Sequence, residues 1–245
     1  DVVAPGYKVL SALSSNVPGG LPNGAEEYDD YYCYMNGTSM AAPMVSGCAA
    51  LARQYFRETE SHTPSANLLK AAIINGAEML SGSVLYWWPD AEYNPYYTIF
   101  EYPYRQDGWG RMNIYNSLIS KEHLYEDDET CAMGISGRIT KRVYYEVESS
   151  STPLRINLVW NDFPAETYVS KALVNDLDLQ VTDPENVVYK GNDFNSTGQF
   201  DRFNNVETVY IEEPVVGTYE VKVTTYQLPF APQPFAIYAT GDFED

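Results

Sequence analysis

The sequence predicts a chain in two parts, an α/β part over residues 1–120 and an all-β sandwich of jelly-roll type over residues 131–245. Three observations carry that reading. After Ser39 the residues are small and apolar almost without break, the composition of a helix buried all round. Beyond residue 130, short runs of β-branched and aromatic residues are separated by turn signals, with no helical period. Between the two parts, residues 121–130 are charged and acidic, as a linker would be.

Taken in order, Asp1-Val2-Val3-Ala4-Pro5-Gly6 reads as a short strand stopped by Pro-Gly. Residues 11–35 are polar and turn-rich and read as a surface excursion. Their acidic run from Glu26 to Asp30 reads as a solvated face, with a bound cation as the alternative. Asn36-Gly37 supplies a turn that tolerates positive φ. Thr38 is the expected N-cap of a helix running from 39 to about 57, and Pro43 lies near its start, where at most one backbone bond is lost. A second helix is expected from Thr63-Pro64, threonine at the N-cap and proline at the first helical position. Its apolar residues Leu68, Leu69, Ala72 and Ile73 share a face, and Asn75-Gly76 is the stop.

Residues 81–107 carry Tyr, Trp and Pro without a period, an aromatic loop insertion that packs over the core or lines a substrate groove. Gly108-Trp109-Gly110-Arg111-Met112-Asn113 leads into a short helix over 114–119. Strands are expected at 139–147, 154–160, 176–181, 187–190, 206–211, 217–224 and 235–239. Tyr219-Glu220-Val221-Lys222-Val223 alternates cleanly, with one face wet and one buried.

Length and composition bound the function. The chain of 245 residues suits one large domain or two ordinary ones, and 44% hydrophobic with 20% charged residues is a globular balance. A formal net charge of −19 disfavours nucleic acid, whose phosphates would be repelled, and an anionic membrane surface equally. There is no apolar run long enough for a membrane span. The opening on Asp1, with no signal peptide, reads as an interior start. Three cysteines show no metal-type spacing. Cys48 reads as a free core thiol, while Cys33 and Cys131 pair with each other or with cysteines outside this chain.

Ser39 is the candidate nucleophile. It stands on the first turn of a helix, where backbone N–H groups converge and the dipole is positive, so its own N–H is placed to stabilise a developing oxyanion. A capping Ser/Thr pair without chemistry is the bland alternative. Gly37-Thr38-Ser39-Met40-Ala41-Ala42-Pro43 resembles the nucleophile motif of subtilisin-like serine proteases (subtilases), as an uninterrupted run. Gly37, Thr38, Met40 and Pro43 are the motif's supporting residues, and Met44 stands where many members have a histidine outside the triad. The Ala4-Pro5-Gly6 turn, the helix after Thr63-Pro64 and Gly108 to Asn113 resemble further family segments. The resemblance implies a parallel-sheet α/β domain of which residues 1–120 are the C-terminal part.

A serine hydroxyl needs a base and an orienting carboxylate. In the family the order is Asp, His, Ser, so the partners of Ser39 and the asparagine of the oxyanion hole are expected upstream of Asp1. The chain has two histidines, His62 and His123, and neither has the family's setting; both read as surface residues. Alone, the chain is expected to be inactive. Either an upstream fragment of the same protease carries the catalytic Asp and His, or the chain belongs to a relative that no longer cuts. Each bared large side chain forfeits about 1.5–3 kcal/mol against a net stability of about 5–15 kcal/mol. Residues 1–120 are therefore expected to fold against a complementary chain.

The second half also carries a resemblance. Leu158-Val159-Trp160-Asn161-Asp162, residues 173–179, Gly191-Asn192-Asp193-Phe194 and Asn204-Asn205-Val206-Glu207 are similar to the C-terminal β-barrel of alkaline serine proteases of bacilli, which binds calcium. Asp176 and Asp178, two apart in a strand, point to the same side. With Asn192, Asp193 and Asp201 they offer the hard oxygen ligands that calcium prefers. Asn195-Ser196-Thr197 is a glycosylation sequon in a polar loop. Asn36-Gly37-Thr38 also matches, but is expected to stay bare within the catalytic turn. The resemblance further implies that oxidation of Met40 damages activity. The resulting expectation is a secreted serine endopeptidase acting on polypeptide substrates through an acyl-enzyme on Ser39. The rival is a non-catalytic binding or structural module that kept the fold.

Overall fold

The computed structural model describes residues 1–14, 20–80, 107–128 and 138–244. The expected aromatic insertion, apart from Asp107, and Cys131 lie outside the described residues. In chain order the elements are β1 (Val9–Ala12), β2 (Glu26–Glu27), β3 (Tyr32–Met35), α1 (Thr38–Glu58), α2 (Ala66–Asn75), α3 (Ile114–Leu118) and β4 (Glu122–Asp128), then β5 (Ile139–Val147), β6 (Leu154–Trp160), β7 (Asp176–Thr182), β8 (Val188–Lys190), β9 (Val206–Ile211), β10 (Gly217–Gln227) and β11 (Phe235–Gly241). Each strand expected after residue 130 is present, with ends moved by three residues at most.

Strands β4 to β11 form two four-stranded antiparallel sheets, ordered β5-β10-β7-β8 and β4-β11-β6-β9. The sheets share one core, in which Leu154, Ile156, Leu158 and Trp160 of β6 join Leu177, Leu179 and Val181 of β7 and Tyr219, Val221 and Val223 of β10. Strand β10 alternates between buried and more open positions, so one face of its sheet is wet. Strands β6 and β11 are buried at every residue, because their sheet is covered on both faces.

The second cover is helical. Ala52 and Phe56 of α1 and Leu68, Ala71, Ala72 and Ile74 of α2 form a second core with Val159, Val206, Ala236 and Tyr238 from the sheet. The polar residues on that face of β6 meet the end of α2. Arg155 Nη1 donates to the carbonyls of Asn75 (2.7 Å) and Ala77 (2.9 Å), and Asn75 Nδ2 donates to Asn157 Oδ1 (2.7 Å). A buried guanidinium thereby satisfies carbonyls that the helix end leaves without intrahelical partners.

Several expectations are corrected. Residues 121–130 are not simply a linker, since Glu122–Asp128 is strand β4, paired with β11 at the edge of its sheet. Charged side chains suit such an edge, so acidic composition concealed a strand. Residues 11–35 contribute to a small antiparallel sheet, ordered β1-β3-β2. Helix α2 is capped by Ser65 rather than Thr63: Ser65 Oγ accepts from the Leu68 N–H at 3.1 Å. Helix α1 is not buried all round. Only Ala52 and Phe56 are buried, while Leu51 is 57% exposed, because the second core reaches only the C-terminal turns. The parallel sheet implied by the resemblance is likewise missing among the described residues, where the named sheets are antiparallel and Val3–Arg111 is a single parallel bridge.

Gly76 ends α2 where α3 comes closest, and a Cβ there would stand 2.1 Å from Ser117 Oγ and 2.4 Å from its backbone nitrogen. Gly76→Ala should destabilise the chain by about 1–3 kcal/mol, seen as a lower melting temperature than wild type.

Candidate active site

The turn that presents Ser39 is held from two sides. The Gly37 N–H donates to the Gly6 carbonyl (2.7 Å), and the Lys8 N–H donates to Asn36 Oδ1 (2.6 Å). Gly6 must be small, since a Cβ there would lie 2.8 Å from the Gly37 carbonyl oxygen. Gly37 takes φ 139°, a conformation that L side chains rarely adopt. Gly37, not Thr38, is the N-cap, and no side chain caps the helix. Thr38 is instead the first helical residue, so its hydroxyl is not the expected cap.

Ser39 is exposed on the first turn of α1, with Met40 half-buried behind it and Pro43 inside the helix. The Met40 N–H donates to the Gly37 carbonyl at 3.1 Å. The Ser39 N–H is among the first-turn donors that a helix cannot satisfy from within. A hydroxyl and an N–H thus leave the positive end of the helix together, the pairing that acyl transfer requires.

No base stands beside that hydroxyl among the described residues. The His62 N–H donates to the Phe56 carbonyl, and Phe56 lies seventeen residues beyond Ser39, roughly 25 Å along the axis. Its Nε2 meets Asp127 Oδ2 at 2.8 Å, and the same oxygen accepts from the Ser65 N–H. His123 packs by Tyr55, Phe56 and Tyr238 with its side chain only 9% exposed, so it is not the surface residue expected. Burial lowers its pKa, against the pull of Glu60. Both histidines serve the junction of α1, α2 and β4.

The oxygens of the expected calcium set are engaged within the chain. Arg202 Nη1 donates to Asp176 Oδ1 at 2.9 Å and contacts Asp178 Oδ1, and Lys171 Nζ meets Asp176 Oδ2 at 2.9 Å. Asn192 Nδ2 donates to Asp201 Oδ2 and to the Val206 carbonyl, each at 2.7 Å, while its Oδ1 accepts from the Thr208 N–H at 2.9 Å. That side chain imitates a strand along the edge of β9. Asp193 accepts from the N–H groups of Thr197 and Gly198, closing a turn. Among the described residues no group of three or more His, Cys, Asp and Glu is placed to hold a metal ion. The residues present do not fit calcium. Asn195 is exposed on the same loop, and Cys33 and Cys48 are free thiols.

Sequence reasoning missed Arg202 and Glu207. Glu207 shares its β9 face with the core residues Val209 and Ile211, so period-two alternation alone would have turned it inward. It is fully buried, with Oε2 accepting from the Leu179 N–H at 2.6 Å. Burial pushes its pKa well above the ordinary 4.5, and the charges of Asp178, Asp201 and Asp176 add to this while the Leu179 N–H opposes it. The folded state therefore favours the neutral acid. Its stabilising contribution is present below the ordinary value and is lost as pH rises through the raised one. Glu207→Gln should flatten the fall in melting temperature as pH rises above the ordinary carboxylate value, whereas an unchanged pH profile would exclude Glu207 as its source.

Residues 1–110 match the Subtilase family, peptidase S8. The chain is 26% identical over 297 residues to the serine protease/ABC transporter B family protein tagB of Dictyostelium discoideum, covering 99% of this chain and 15% of the relative. It is 28% identical over 261 residues to tagA of the same organism and description, covering 91% and 13%. The chain thus spans about one-seventh of the length of these relatives. The Aeromonas sobria serine protease in complex with its chaperone overlaps 87% of this chain and 45% of its own at 13% identity, with a TM-score of 0.28, too low to bear on the fold. Together, the match over residues 1–110 and the two protease relatives support a subtilisin-like family and a protease-like function.

Proposed function

We propose that this chain is the C-terminal part of a subtilisin-like serine endopeptidase that cleaves polypeptides through an acyl-enzyme on Ser39. The observation that carries the reading is the exposed Ser39 at the mouth of α1, on a glycine turn held by Gly6, within the stretch that matches the subtilase family. The hydroxyl attacks the scissile carbonyl, its proton passes to an imidazole, and the Ser39 N–H receives the oxyanion. The histidine, the aspartate that orients it and the second oxyanion donor come from an upstream segment outside these 245 residues.

That segment also covers α1. Leu51 and Met44 lie open on a helix whose composition belongs in a core, and burying such side chains is worth about 1.5–3 kcal/mol each. In this reading the chain is secreted, the two facing sheets form a jelly roll, and Asn195 is the glycosylated sequon. Asn36 stays bare within the turn that presents Ser39, where its Oδ1 accepts from the Lys8 N–H. The 245-residue chain should not hydrolyse an unfolded polypeptide alone and should do so once the upstream segment is added or restored by fusion. A longer protein without peptidase activity would favour the non-catalytic reading, for which the distance of both histidines from Ser39 is the supporting observation.

A further inference from the structure

Asp176 and Asp178 sit on β7 with their side chains 1% and 7% exposed, so two carboxylates are held out of water side by side. Arrangements of this kind persist only where a cation pairs with them. Here the cation belongs to the chain. Arg202 reaches back from the loop before β9, donating through Nη1 to Asp176 Oδ1 at 2.9 Å, contacting Asp178 Oδ1, and donating through Nη2 to Asp178 Oδ2 at 3.3 Å. The Tyr226 ring lies 3.8 Å from the guanidinium carbon and the Phe200 ring 5.3 Å, so the planar head is fixed between aromatic faces. Lys171 Nζ takes the remaining oxygen of Asp176 at 2.9 Å. Burial pushes the Asp178 carboxyl upward and the neighbouring Asp176 charge adds to this, while Arg202 and Lys190 oppose it.

We propose that the Arg202 guanidinium is the built-in counter-ion of the Asp176–Asp178 pair, standing where a divalent cation would otherwise be needed, so that the β half of this chain keeps its fold without calcium. A fixed cation on the chain is always present, whereas a bound ion stabilises only in proportion to its concentration above its dissociation constant. The fold thus gains independence from ambient calcium, and its weak point moves from metal supply to one side chain.

Melting of the full 245-residue chain in EGTA and in millimolar calcium tests this. Wild type should melt at the same temperature in both, and a fall in EGTA would overturn the proposal. Arg202→Gln should lower the melting temperature by roughly 10 °C and should regain part of that loss when calcium is added. An Arg202→Gln protein that melts like wild type and ignores calcium would also overturn it. If Arg202→Gln fails to fold, the triple variant Asp176→Asn, Asp178→Asn, Arg202→Gln separates charge compensation from packing. Recovery of a folded, calcium-indifferent protein supports the proposal, and a triple variant that stays unfolded contradicts it.

Discussion

Ser39→Ala should lower polypeptide turnover by about a millionfold in the protein that carries the upstream segment, and should leave folding almost untouched. Ser39 is exposed and its hydroxyl caps nothing, because the N-cap is Gly37. A surface change of this kind shifts stability by about 0.5 kcal/mol or less. A loss of activity at constant melting temperature is the signature of a nucleophile, and steady-state kinetics beside a thermal melt would read it. Activity retained within tenfold would assign the chemistry elsewhere. The helix mouth contributes separately, since removing one oxyanion donor typically costs about a hundred- to a thousandfold.

The second large effect is on stability. Phe56 is fully buried at the end of α1, with ring centroids 5.3 Å from Tyr125, 6.3 Å from Tyr238 and 6.4 Å from His123. It joins the helices to the sheet that carries β4 and β11, so Phe56→Ala empties the seam between the helices and that sheet. The expected cost is about 3–5 kcal/mol, read as a shift in denaturation midpoint. Phe56→Leu fills most of the space and should cost clearly less. Equal losses for the two would mean that the ring geometry, not the volume, holds the seam.

The β half was the more legible part of the chain. Strand β10 reads as Tyr219-Glu220-Val221-Lys222-Val223 and buries every second residue, because only one face of its sheet meets the core. Strand β6 was legible as a strand but not in its environment. Arg155 and Asn157 look wet in an alternating pattern, yet they meet the carbonyl end of α2 across a covered face. No local signal announces that a helix from eighty residues upstream will lie there. Strand β4 was hidden for a related reason, since an edge strand tolerates the charges that sequence reasoning assigns to linkers.

At the candidate site, the glycine turn and the helix were readable from Asn36-Gly37 and the small apolar run, and they set Ser39 at a helix mouth. The partners of the carboxylates of the β half were not legible, because composition gives oxygens without what they pair with. Asp176 and Asp178 have calcium's preferred oxygens, but only the fold reveals that Arg202 reaches them first. The exposed length of α1 has another origin: its small apolar residues were read as a helix buried all round, but among the described residues only its C-terminal turns meet a core.

Treatment with a fluorophosphonate, followed by peptide mapping, asks whether Ser39 becomes a nucleophile when its complement is supplied. Adduct should form on the peptide containing Ser39 when the upstream segment is present, and hardly at all in the 245-residue chain alone. Absence of adduct from Ser39 in the complete protein, or its appearance on a different serine, would contradict the account.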